Sequence, residues 1–417
     1  MKTLDVPANA DLSAVSIQTT IDALPHEGGR VVLPACDITL DRGLELHSGV
    51  ELVGQGSATV LRKGPGKQYP LTGYHNYGMM DVPLACAEGL HVGMTVSIHD
   101  DMRRGFYETF ARIAWIDAGW VGIDTGLAAD YGANDNPRLV TAYPMIFGHE
   151  VSGVVVRDVI LDGMRADQEE DMGACRGGAI YFSRSSAIRV CNVAEHSYAG
   201  EGISFQMCRD VVVTDSRFIG NSGNGIHPGA GSTNCLITNC AGSGNDLSGF
   251  FFCVRANHIG VTHCEFEGNG QGMSIGTRDC YNVIEDCQFS GNLGPGIFVR
   301  PCPEPCEVHS CVIRRCRFEG NALERGRGQI DIGDNAHDIL FRGNVFSGVA
   351  ARPASGVSIA PTAHDICLQE NDFEQCDPNV ASAGSALSEE LALTDCGYDA
   401  PSPESFRHLG GTPEAGE

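Results

Sequence analysis

One six-residue phrase recurs through the second half of the chain and constrains its fold more than any other feature. It reads small residue, any residue, Phe, any residue, Gly, Asn. It appears at Ser216–Asn221, Cys264–Asn269, Cys287–Asn292 and Cys316–Asn321, and a degenerate copy at Cys240–Asn245 fills the first gap. The small residues are spaced by 24, 24, 23 and 29 positions. A period in the twenties describes a solenoid, because no single unit buries its apolar face alone.

Each repeat holds two short apolar alternations. The first runs like Val261–Phe266. The second follows the pattern Gly-Ile-x-Phe, as at Gly202–Phe205 and Gly296–Val299. Period-two alternation signals strand, and no helical period competes with it. Gly and Asn between the strands suit the left-handed backbone of a sharp corner. A coil of two or three short strands has no room for the helix of a leucine-rich repeat. It fits a parallel β-helix with coils ~4.8 Å apart. The corner residues Asn221, Asn245, Asn269, Asn292 and Asn321 are then expected to stack and bond along the axis through their amides.

On these residues the chain resembles the right-handed parallel β-helix repeat proteins of the pectate-lyase-like superfamily. Ile17–Leu24 and Gly28–Pro34 look like the superfamily's cap helix and first coil, and Gly49–Gly56 like its second coil. The resemblance implies an all-β, right-handed parallel β-helix with an N-terminal cap helix and a small inserted antiparallel β-subdomain. We divide the chain into a cap with first coils (1–70), the insertion (71–150), the main β-helix (151–376) and a C-terminal tail (377–417), with a short helix expected from Ser388 to Leu393 and a loosely packed end. Strands are expected at Val92–Ile98 and Phe110–Ile116 of the insertion, which also carries Trp115 and Trp120. Exposed, these rings would stack on sugars; the preferred reading puts them in the subdomain's core.

The formal charge of −25 argues against nucleic acid or an anionic membrane surface as partner. The 18 cysteines would suggest disulfides in a secreted chain. However, Met1–Asp5 leads into no apolar signal region, and no stretch is long enough to span a bilayer. Most of these cysteines hold the small-residue position of a repeat, where a reduced, inward thiol acts as a small hydrophobe. A cytoplasmic location follows as an expectation. Cys302, Cys306, Cys311 and Cys316 lack the paired spacing of a zinc site, so no metal or other cofactor is expected.

Aligning the second strand of each coil puts Tyr181, Ser204, His227, Phe251, Ser274, Phe298, Asp331 and Ser358 on one outer face. Gln206, Gly229, Cys253, Gly276 and Arg300 lie two positions on, and Arg255, Arg278 and Asp279 at the following corner. Glu201 precedes its strand. The phrase Gly225–Ser232 ends a strand early with Pro228 and Gly229 beside a histidine able to move protons near neutral pH. We take Glu201, His227, Asp246 and Asp331 as candidate catalytic groups. Tyr181, Gln206, Phe251, Arg255, Arg278, Phe298 and Arg300 are the candidate substrate contacts. Glu201 and Asp246 flank His227 by one coil each, a separation of roughly 9–10 Å, near that of an inverting glycosidase pair.

The block Glu201–Gln206, Gly225–Gly229, Gly249–Cys253 and Met273–Gly276 looks like a bacterial subfamily of β-helix proteins. That subfamily continues with His-Lys-Asp-Thr-Asp-Asn, where this chain has Thr277–Asn282. The expected function is a carbohydrate-active enzyme that cleaves or rearranges glycosidic bonds of an oligo- or polysaccharide, with a distant similarity to inulin fructotransferases. Polygalacturonase, pectate lyase and Asp-Pro-His epimerase motif sets are absent in order. A polysaccharide lyase or epimerase, and a non-catalytic glycan-binding β-helix of tailspike type, are the alternatives. A homotrimer is expected by analogy with similar proteins.

Overall fold

The computed structural model describes residues 1–9, 12–141, 143–172, 176–349, 354–382 and 387–388. The helix Ala14–Asp22 opens with a capping box at Ser13 and buries Ala14, Ile17 and Ile21 against the end of the solenoid. Parallel coils then stack into a right-handed β-helix with three faces. One face is an 11-stranded sheet that includes Gly178–Ser183, Glu201–Gln206, Ile226–Pro228, Ser248–Phe251 and Gln271–Ile275. The other two faces share long strands such as Ser186–His196, which bend from one to the next. The expected helix Ser388–Leu393 and the end of the tail lie outside the described residues. Among those that are described, Val380–Ser382 and Leu387–Ser388 still pair in parallel with the coil before them.

Two interior ladders follow from the repeat. Phe266, Phe289, Phe318, Phe346 and Phe373 stack with centroids 4.8–5.2 Å apart. Beside them the buried thiols of Cys240, Cys264, Cys287 and Cys316 donate to backbone carbonyls. The asparagines form the expected amide ladder. Asn245 N–H donates to Asn269 Oδ1 (2.9 Å), and Asn269 N–H to Asn292 Oδ1 (2.9 Å). One detail differs: the left-handed corner residue is the glycine before each asparagine, such as Gly244 and Gly268 (φ 63° each). The asparagine instead satisfies the buried backbone groups that this turn leaves behind.

The insertion is an antiparallel sheet. Thr95–His99 and Thr109–Asp117 pair directly, with Gln68–Pro70, Asp81–Pro83, Trp120–Ile123 and Arg138–Val140 alongside. Ile146–His149 is already a solenoid strand. The subdomain's core is built from Val82, Val96, Ile98, Ile113, Val121 and Leu139. Trp115 and Trp120 are not in it. They lie at the exposed end of a hairpin, 43% and 40% accessible, because the inward positions of these strands are taken by smaller aliphatic residues. Among the described residues all cysteines are free thiols, and no helix is long and apolar enough to cross a membrane.

Candidate functional site

The 11-stranded face carries the aligned outer row. Tyr181, Ser204 and His227 sit in register on successive coils, as do Phe251, Ser274, Phe298, Asp331 and Ser358. Much of this row is nevertheless closed to solvent. Ser204, His227 and Ser274 are 0–1% exposed and Asp331 is 5% exposed. Three of the four are covered by a longer neighbour. Gln206 folds back to Ser204 Oγ (3.1 Å), and Arg300 reaches Ser274 Oγ (2.6 Å). Arg327 pairs with Asp331.

Glu201 and His227 do come together. The Glu201 Oε2 carboxylate accepts from His227 Nδ1, and Oε1 accepts from Asn224 Nδ2 (2.9 Å), all three residues being buried. Burial alone would pull the imidazole down. The Glu201 charge and the nearby Cys253 thiol overcome it and push His227 up to about 10. The ring meets Phe251 edge-on at 5.0 Å, and the Arg300 guanidinium lies 4.5 Å over the same Phe251 ring.

The remaining candidates separate from this pair. Asp246 is half-exposed at a corner and held by Arg165 through two hydrogen bonds. Asp331 lies four coils from His227, about 19 Å along the axis at the usual strand spacing. Tyr181 is half-buried beside Arg176, and Phe298 fills the row between Ser274 and Asp331. Arg300 also donates to the Phe252 carbonyl (3.0 Å) and to Asp279 (3.3 Å), so it is a bracing group of the sheet face. Arg255 and Arg278 occupy left-handed corners and line a different cavity of about 310 Å³ with Tyr281, Glu307 and His309.

A cleft opens on the other side of Glu201. Its volume is about 510 Å³, and Glu201, Gly223 and Leu247 of the solenoid face Arg104, Phe106, Tyr107 and Asp171 across it. Phe106 (46%) and Tyr107 (62%) present open rings at the rim. This wall is braced from behind. Arg104 donates to the Asp171 carbonyl (2.6 Å), while Glu170 binds His99 (3.0 Å) and Arg138. Burial would raise the Glu170 carboxyl, but those two donors pull it down to about 2. Arg165, the partner of Asp246, also feels the Asp171 charge. No sequence pattern marks Asp171, Arg104, Phe106 or Tyr107. They lie on loops with no period, and only the fold brings the insertion against the coil of Glu201.

Comparisons agree with the architecture. Residues 202–373 match the family model for the right handed beta helix region. Curated protein sequences contain no significant match. The mannuronan C-5 epimerase A-module of Azotobacter vinelandii is similar in structure, with a TM-score of 0.57, 15% identity, and 93% of this chain and 100% of that chain covered. The polygalacturonase of Erwinia carotovora ssp. carotovora gives 0.55, 12%, 93% and 95%. ORF18 of Geobacillus virus E2 gives 0.58 and 14%; the match covers 89% of this chain but 61% of that one. These identities speak for the fold, which carries many chemistries. Sequence repeat, coil geometry and structural likeness together establish the fold of this chain as a right-handed parallel β-helix.

Proposed function

We propose that the protein is a carbohydrate-active enzyme that cleaves or rearranges glycosidic bonds of an oligo- or polysaccharide in the cleft between the insertion and the coil of Glu201. The observation that carries this reading is the pairing of two carboxylate residues, Glu201 and Asp171, in one cleft with open aromatic rings at its rim. Two carboxyl groups across a scissile bond are the usual equipment for glycoside chemistry. Asp171 replaces Asp246 as the second acid, since Asp246 is engaged by Arg165. Glu201 is the fixed member: His227 carries its proton at neutral pH and is the counter-ion at its back. A carboxylate so placed stabilises positive charge at the anomeric carbon or attacks it. Asp171 lies exposed in the cleft opposite Glu201 and is the group placed to protonate the leaving oxygen. Tyr107 and Phe106 are the stacking surfaces for sugar rings. A homotrimer, with a neighbour closing the open side, belongs to this reading, and the mass in sedimentation tests that part.

The test is a panel of neutral and acidic oligosaccharides followed for new reducing ends and for unsaturated uronate products. We expect reducing ends or transfer products, with Glu201→Gln and Asp171→Asn each lowering kcat about 10²–10⁴-fold. Unsaturated products instead would assign a lyase. Glycan binding with no turnover on any substrate would replace the enzyme reading by a binding module.

A further inference from the structure

The same coils hold a second unit that the glycosidic reading does not use. His227 Nδ1 is taken by Glu201, while Nε2 is fully buried with no hydrogen-bond partner of standard geometry. A buried imidazole nitrogen left so is costly unless something facing it uses it. The group next to the ring is the thiol of Cys253, on the following coil, close enough to hold the imidazole's proton electrostatically. Carboxylate, imidazole and thiol thus line up across three successive coils, in the order that activates a nucleophile.

The surroundings of Cys253 differ from those of the repeat cysteines. Cys240, Cys264, Cys287 and Cys316 face the apolar interior, among phenylalanines. Cys253 belongs to the outer row and is 8% exposed, against 1% for His227. Its two neighbours in register are glycines, and both leave space that longer side chains use. A Cβ at Gly229 would lie 1.8 Å from Gln206, and one at Gly276 would lie 2.3 Å from Arg300. Cys253 therefore sits between an amide and a guanidinium that fold in from opposite sides, with the imidazole beside it. Arg300 feels the thiol's charge as well as that of Asp279. Two cationic groups next to one sulfur favour the thiolate.

We propose that Cys253, His227 and Glu201 form a thiol–imidazole–carboxylate unit that removes ester-linked acyl groups, with O-acylated saccharide as the substrate class. The assignment of a saccharide as carrier rests on the proposed function; the thiol chemistry does not. The Cys253 sulfur attacks the ester carbonyl carbon. The bond to the sugar oxygen breaks, and that oxygen takes the proton held on His227 Nε2. A thioester on Cys253 and a neutral imidazole remain. Water then attacks the thioester carbon, His227 Nε2 takes a proton from it, the carbon–sulfur bond breaks, and the free acid leaves with the thiolate–imidazolium pair restored. Glu201 keeps Nδ1 protonated throughout and is a positioning residue.

The experiment labels the intact protein with iodoacetamide across pH and reads each cysteine by peptide mass spectrometry, with exposed Cys86 as the internal reference. We expect the Cys253 rate to reach its plateau below about pH 7 while the Cys86 rate is still rising, so that Cys253 gains at least about tenfold on Cys86 in acid. This profile needs no variant. His227→Gln should return Cys253 to the profile of Cys86. In a second arm, p-nitrophenyl acetate followed by acid quench should leave an acetyl group on Cys253 in the wild type and none in Cys253→Ser. A Cys253 profile that rises in parallel with Cys86, or a quench with no acyl group on Cys253, overturns the proposal. Reducing-end release by a protein that never forms the acyl-thiol would sink this inference and leave the glycosidic reading standing. The acyl-thiol with no action on any saccharide would do the reverse for the carrier.

Discussion

At the scale of single residues, the molecule holds titratable groups where their ionisation depends on the fold. His227 stands at about 10 instead of its ordinary 6.5, so it carries extra stability that is complete below about pH 6.5 and is lost as the pH rises through 10. Glu195 adds to the same slope. It points into the core in register with Phe218, where later coils have phenylalanine, and its Oε2 accepts from Asn221 (2.9 Å) while Oε1 has no partner. Burial pushes this carboxyl up to about 8, so the folded state keeps a proton that the unfolded chain releases above about 4.5. Stability should therefore fall steadily from about pH 5 to about pH 9, read as the thermal midpoint at constant ionic strength. Glu195→Gln should flatten the part of that fall between 4.5 and 8, since the amide keeps the acceptor for Asn221 without a proton to lose. A variant curve parallel to the wild type would show that Glu195 is not the group responsible.

At the scale of elements, the ladders and the braced wall behave differently. Asn269 makes bonds to two coils: it accepts from Asn245 N–H and donates to the Gly242 carbonyl (2.9 Å) and Asn292 Oδ1 (3.1 Å). Asn269→Ala strands several buried polar groups at once, at about 1–3 kcal/mol each. Phe318→Ala removes a ring stacked on both sides and should cost about 3–5 kcal/mol. In a solenoid such losses stay local. Hydrogen exchange should speed up in the mutated coil and its neighbours, and much less near the cap helix. The cleft wall instead depends on Glu170. Its folded carboxyl is depressed to about 2 from 4.5, so its contribution is present above 4.5 and is lost as the pH falls through 2. Glu170→Gln should loosen the loop of Phe106 and Tyr107, raising KM for a saccharide more than it lowers kcat.

At the scale of the whole molecule, two cores are joined: the long interior of the solenoid and the separate apolar cluster of the insertion. The repeat spelled out the first. Its period gave the coils, its alternation gave the strands, and its Phe, Cys and Asn positions gave the interior and corner ladders, because each unit repeats the same local solution. The outer row from Tyr181 to Ser358 was legible for the same reason, and with it the meeting of Glu201 and His227. What the sequence could not show was how that row is covered. Gln206, Arg300 and Arg327 are polar, and their folding back over Ser204, Ser274 and Asp331 is a choice between solvent and neighbour that no pattern records. Nor could it place Asp246, which Arg165 takes from a distant turn, or bring Asp171 and Tyr107 to Glu201. The solenoid, its core and the alignment of its faces were readable from the chain's residues, since these arise from short-range periodicity stacked at one spacing. The tertiary structure alone decided where the cleft lies, since that depends on an aperiodic insertion folding back on a coil remote from it in the chain.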